Sequence, residues 1–166
     1  MHKLIFLDFD GVMNNRWNNL YRNIHHLPEK DEFGVLFDPD CIAALKHIID
    51  ETGAEVVVSS SWKDYMAMDE IRDMWRKRNL PGTPIDVTPT ISQHRGEEIV
   101  AWMAAHPNPC QFVIIDDEPC DQFQPHQLPH LITTNNFEGL TMPIAIKAIE
   151  VLNHTPALCQ LPYQHP

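Results

Sequence analysis

Short apolar runs alternate along the chain with longer segments of helical period, and this rhythm sets the expected fold. Residues 3–7 (KLIFL) form an apolar-leaning run that reads as a buried strand. Glu55 to Val58 (EVVV), β-branched and short, reads as a second, residues 111–115 (QFVII) as a third and residues 131–134 as a further one. A helix start is written at Asp38-Pro39-Asp40: Asp38 as N-cap, Pro39 at the first helical position and acid at the positive end of the dipole. Ile42, Leu45, Ile48 and Ile49 form its apolar face and Gly53 ends it. Residues 69–78 predict another helix, with Ile71, Met74 and Trp75 on one face and Arg72, Arg76, Lys77 and Arg78 mostly outside. Ser92 to Glu98 opens a third, whose Ile99, Trp102 and Met103 face the sheet; Gly139-Leu140-Thr141 leads into a fourth with Ala145, Ala148, Ile149 and Leu152 inward. Strands joined by helices imply right-handed βαβ crossovers, so the expected class is α/β, a three-layer α/β/α sandwich with a mainly parallel sheet.

Two stretches lack this rhythm. Residues 14–37 hold Asn14, Asn15, Arg16, Trp17, Asn18 and Asn19, then Tyr21, Arg22, His25 and His26, with no sustained period. This polar insertion predicts a flap or irregular hairpin over the strand ends, or an ordinary surface loop. Residues 80–84 break the chain, and 86–90 continue it as a loop or short strand. The segment from 62 to 90 is too short for a large inserted cap. The expected organisation is one domain over 1–153 and a surface or disordered tail over 154–166, where Pro156, Pro162 and Pro166 fall.

Composition narrows the function. A formal net charge of −11, from 23 acidic and 12 basic residues, argues against a general nucleic-acid binder and against charge-driven attachment to acidic membranes. It leaves room for a phosphorylated small molecule or a nucleic-acid end engaged locally. Cys41, Cys110, Cys120 and Cys159 show no C-x-x-C spacing, which fits reduced thiols, and no apolar run approaches the ~20 residues of a membrane span. Without a signal-peptide pattern at the amino terminus, the expectation is a soluble, cytoplasmic protein.

The candidate chemistry gathers at strand ends, where open parallel sheets bind ligands. The first strand runs into Asp8-Phe9-Asp10-Gly11. Two carboxylates this close repel unless a cation lies between them or one holds a proton, and a hard cation such as Mg²⁺ resolves the conflict. Read alone, the pair could equally end a strand and open a turn. The second strand ends in Ser59-Ser60-Ser61-Trp62. Its hydroxyls could hold an anion, Ser59 ahead of Ser60, or cap the next helix; Trp62 reads as a pocket wall or a core residue. Arg95 stands in the first turn of a helix, where a cation opposes the dipole and calls for a nearby anion. The third strand ends in a second acidic cluster, Asp116-Asp117, which a shared metal would also relieve. Arg16, Trp17, Arg22 and Trp62 are the candidate substrate contacts.

Asp-x-Asp-Gly, Ser, Arg and Asp-Asp, in that order on alternating strands and helices, resemble the four motifs of the haloacid dehalogenase-like (HAD) superfamily of phosphohydrolases. The resemblance runs from Leu4 to about Leu152. More narrowly, Ser-Ser-Ser-Trp, Arg95 with Glu98-Ile99 and Trp102, Ile115-Asp116-Asp117 and Gly139-Leu140-Thr141 are similar to the small HAD domains associated with Swiss Army Knife RNA repair proteins. One departure is Arg95, since the superfamily usually has Lys there. The resemblance implies a Rossmann-like fold without a large cap, and an Mg²⁺-dependent phosphatase. Asp8 would be the nucleophile and Asp10 the general acid and base. Ser59 or Ser60 and Arg95 would bind phosphate, and Asp8, the Asp10 backbone carbonyl and Asp116 or Asp117 would hold the metal. An open site implies a bulky substrate, such as a nucleotide or nucleic-acid phosphate end, without an extended nucleic-acid surface. A non-catalytic regulatory module that keeps the phosphate and metal pocket is the alternative. A phospho-accepting receiver domain fits less well, because its acidic pair belongs on the first strand.

Overall fold

The structure, a computed structural model, describes residues 2–108 and 110–154. Its centre is a five-stranded parallel sheet in the order β5-β4-β1-β6-β7: β1 His2–Leu7, β4 Glu55–Val58, β5 Pro84–Val87, β6 Cys110–Asp116 and β7 Leu131–Thr133. The chain steps outward from β1 to β4 and β5, then returns across the sheet to β6 and β7. This reversal makes the carboxyl end of β1 a topological switch point.

The alternation of side chains along the strands decides the layers. Ile5, Leu7, Val56, Val58, Val113 and Ile115 point to one face. There they pack under helices α2 (Pro39–Thr52), α3 (Met68–Lys77) and α5 (Met142–His154). Leu4, Phe6, Val57, Phe112 and Ile114 point to the other, under α4 (Arg95–Ala105) and Phe123. The expected three-layer sandwich is therefore present. Asp38 caps α2 by accepting from the Asp40 amide, and Gly53 closes that helix in the left-handed region at φ 65°. The uncertain stretch near residue 86 is an edge strand that opens on Pro84, where a missing amide costs no ladder bond.

The insertion at 14–37 differs from expectation. It contains a nine-residue helix, α1 (Arg16–Ile24), and a small hairpin of β2 (Lys30–Asp31) and β3 (Gly34–Val35). Asn15 caps α1, its side chain accepting from the Asn18 amide at 2.7 Å while its own amide donates to Asp38 and to the Glu138 carbonyl. Amide-rich composition hid a helical stripe of Trp17, Leu20, Tyr21 and Ile24. The hairpin is fastened to α3 by Arg78. Expected outside, its side chain is only 6% exposed; it grips Asp31 with two nitrogens, at 2.6 and 2.9 Å, and stacks 4.8 Å from the Phe37 ring. At the other end, His154 is the last residue of α5 rather than the start of a tail; the remainder of the expected tail lies outside the described residues.

Among the described residues no helix is long and apolar enough to cross a membrane, and Cys41 and Cys120 are free thiols.

Candidate active site

Sheet register builds the site. Leu7 pairs with Val58 on one side and Ile115 on the other, so the next residues, Asp8, Ser59 and Asp116, stand in one row at the strand ends. The row is fixed by the Asp8 amide donating to the Ile115 carbonyl at 3.1 Å and the Ser59 amide to the Leu7 carbonyl at 3.0 Å. Alternation turns this row toward the α4 face, and the first residue of α4 is Arg95. Its Nη1 lies 3.6 Å from Asp8 Oδ1 and its Nε 3.4 Å from Asp116 Oδ2. The unfavourable dipole position of Arg95 is thus offset by two buried carboxylates.

Asp117 joins the cluster through a tight turn. Gly11 adopts φ 73°, and a Cβ there would stand 2.0 Å from Asp117 Oδ2, so only glycine admits this approach. Asp8, Asp116 and Asp117 each offer a carboxylate oxygen, all within 4.8 Å of one another. Burial pushes Asp8 up to about 6, against the lowering effect of Arg95. Burial and then the Asp8 charge push Asp116 up to about 7, and burial and the neighbouring Glu118 raise Asp117. Asp116 Oδ2 is buried without a hydrogen-bond partner. Three converging carboxylates, one with a buried oxygen that makes no hydrogen bond, are hard-donor chemistry suited to a divalent cation.

Asp10 is placed differently. Its carboxylate accepts from Asn14 Nδ2 at 2.7 Å and from Trp62 Nε1 at 3.0 Å, and it stands outside the cluster of gathered carboxylates. The metal role expected of Asp10 is that of its main-chain carbonyl, not of this carboxylate. Trp62 is 3% exposed, so it is a core residue that holds Asp10 rather than an open pocket wall. Ser60 accepts from the Trp62 amide at 3.4 Å and caps a short 3₁₀ turn, the capping role expected of one of these serines, whereas the Ser59 hydroxyl is buried with no hydrogen-bond partner.

The candidate contacts of the insertion fare unevenly. Arg22 donates to the Pro28 carbonyl and closes the turn after its own helix. Trp17 packs on Phe137 at 6.2 Å and borders a groove with Asp40, Ala43 and Met142, a groove that contains none of the site carboxylates. Arg16 is exposed at the first position of α1.

Three residues, Asn14, Lys63 and Glu98, have supporting roles that the sequence does not assign to them. Asn14 sits four residues after Asp10 in a bend where the amides of Val12, Met13 and Asn14 all donate to the Phe9 carbonyl. Lys63 and Glu98 form a buried ion pair at 2.9 Å, 4% and 5% exposed, and the other Glu98 oxygen accepts from the Ile91 amide. That pair joins the Ser60 turn to α4, one helical turn beyond Arg95. A lysine three residues after Ser60 and a glutamate three after Arg95 are the only signals for it in sequence, and neither specifies a partner.

Searches of curated proteins and of solved structures found no match. A family model described as the HAD domain in Swiss Army Knife RNA repair proteins matches residues 4–145, which span β1, every element of the crevice and the start of α5. With most of its length covered by that match, the chain belongs to this family of HAD domains.

Proposed function

We propose that the protein is an Mg²⁺-dependent phosphomonoesterase that works through an aspartyl-phosphate on Asp8. The observation that carries this reading is the triad of Asp8, Asp116 and Asp117 oxygens within 4.8 Å, with Arg95 set against Asp8 and Asp116. Membership of the HAD superfamily, one of hydrolases and phosphatases, supports the reaction class. Asp8, Asp116, Asp117 and the Asp10 carbonyl would hold the cation, which when bound neutralises charge on the phosphoryl oxygens.

The chain's own groups supply the rest. One Asp8 carboxylate oxygen attacks phosphorus in line, an O–P bond forms and the ester P–O bond breaks. Asp10, steadied by Trp62 and Asn14, gives a proton to the departing oxygen. It then takes a proton from the water that attacks the aspartyl-phosphate, which frees inorganic phosphate and restores Asp8. Arg95 and Ser59 or Ser60 orient the transferred group by hydrogen bonds to its oxygens. Only a 3₁₀ turn and helix α3 lie between β4 and β5, with no large cap there, which suits a phosphate on a bulky carrier, and a nucleotide or nucleic-acid end is the substrate class we infer. The net charge of −11 restricts contact to that end.

The test is phosphate release from an aryl phosphate, a nucleotide panel and 3′- and 5′-phosphorylated oligonucleotides, with Mg²⁺ or EDTA. Metal-dependent release that vanishes in Asp8→Asn is the expected result. Folded protein that binds Mg²⁺ yet releases no phosphate from any member of the panel would contradict it and favour a binding module.

A further inference from the structure

Helix α1 is inside out. Its residues at helical spacing, Trp17, Leu20, Tyr21 and Ile24, are 51%, 47%, 47% and 60% exposed, and Leu27 and Phe137 extend the stripe at 45% and 50%. The one buried residue of α1 is polar, Asn18. Beneath the helix the side-chain atoms Asn18 Nδ2, Asn19 Oδ1 and Arg22 Nε are buried without hydrogen-bond partners. A nine-residue helix is too short to be stable alone and is ordinarily held by burying its apolar face. Here that face points to solvent. Summed over its six members, the exposed apolar surface is on the order of 600 Å², at the upper end of what monomers leave uncovered.

We propose that this stripe is the interface of a homodimer, a second copy of the chain laying its own α1 and Phe137 edge against it about a two-fold axis. Area and charge both favour this occupant. Two such patches together remove roughly 1,200 Å² from water, which reaches the threshold of a stable interface. The charged residues of α1, Arg16 and Arg22, are both basic, whereas the rest of the molecule is strongly acidic. Beside the stripe runs a groove of about 560 Å³ lined by Trp17, Ala43, Phe137 and Met142, with the exposed acids Asp40 and Glu138 on its rim. A basic apolar helix next to an acidic apolar groove is complementary to itself, the requirement that two-fold symmetry imposes on one surface patch. Trp17, Tyr21 and Phe137 carry rings on which a base can stack, but Leu20, Ile24 and Leu27 interrupt them with aliphatic surface and the chain carries a net charge of −11, so the stripe suits a polypeptide better than a nucleic acid.

Sedimentation velocity of the whole chain from about 1 to 200 µM tests this, beside Leu20→Glu combined with Ile24→Glu. The wild type should move from the chain mass of 19.1 kDa toward twice that value, while the double variant stays at the chain mass, with dissociation raised at least ~100-fold. Both positions face solvent in the monomer, and the neutral pair Leu20→Gln, Ile24→Gln, with matching circular dichroism, separates lost association from lost folding. Amide exchange over residues 16–27 should slow with concentration in the wild type alone. A wild type that stays at the chain mass throughout overturns the proposal and leaves the stripe to a different polypeptide. A dimer indifferent to either double variant overturns it too, since the contact is then elsewhere.

Discussion

The strand-end crevice and helix α1 lie a few residues apart in the chain and depart from ordinary burial in opposite senses. In the crevice, carboxylates are inside: Asp8 and Asp116 are 3% and 0% exposed and face Arg95 across 3.6 and 3.4 Å. On α1, apolar side chains are outside while amides line the inner face. Both arrangements cost free energy in an isolated chain, the first by desolvation and the second by wetting apolar area. The difference lies in what relieves them. Carboxylates held apart from water by fixed register want a cation and an anion, whereas an uncovered stripe of Trp, Leu and Ile wants apolar surface. One region is therefore poised for chemistry and the other for association.

The largest effect that would break this division is at Asp8. Asp8→Asn keeps the shape of the crevice but removes the nucleophile, and phosphate release should fall by about 10³-fold or more. Next comes metal removal. Asp8 and Asp116 are raised from 3.8 to about 6 and about 7, chiefly by burial, so the folded state holds protons that the unfolded chain has released. Stability in EDTA should therefore fall as pH rises from about 4 through about 7. Mg²⁺ should restore it at pH 8 and have little effect at pH 5, as thermal melts across that range would reveal.

Two smaller effects sharpen the contrast. Arg78→Ala frees the hairpin from α3 and leaves Asp31 and the Phe37 ring uncovered, for a loss of about 2 kcal/mol in denaturant unfolding. Release per folded molecule should persist, because Arg78 reaches no site carboxylate among its contacts. Trp62→Phe keeps the core aromatic but removes the N–H that holds Asp10. A drop of about tenfold in kcat with KM nearly unchanged is expected, measured by steady-state kinetics.

The sheet and the crevice were legible in the sequence because both rest on local rules. Apolar runs located the strands at residues 3–7, 55–58 and 111–115, and acids or serines directly after them must fall at the strand ends. Arg95 was readable for a related reason: a cation in the first turn of a helix is out of place without an anion. What stayed hidden depends on partners far away in sequence. The buried pairing of Lys63 with Glu98, and of Arg78 with Asp31, is set by how elements pack, and surface charges and buried pairs look alike in one dimension. Helix α1 was missed because its amide-rich sequence suggests a loop, and because its apolar stripe faces away from the core that such stripes usually mark.

Chemical identification of the phosphoenzyme tests the central claim most directly. Asp10→Asn, which slows hydrolysis of the intermediate by removing the base, would be mixed with an aryl phosphate and Mg²⁺, quenched in acid and mapped by peptide mass. One phosphoryl group on the peptide containing Asp8, lost on treatment with base and not formed in EDTA, is the predicted result. Phosphate release that continues in Asp8→Asn, with no phosphoryl group on that peptide, would contradict it.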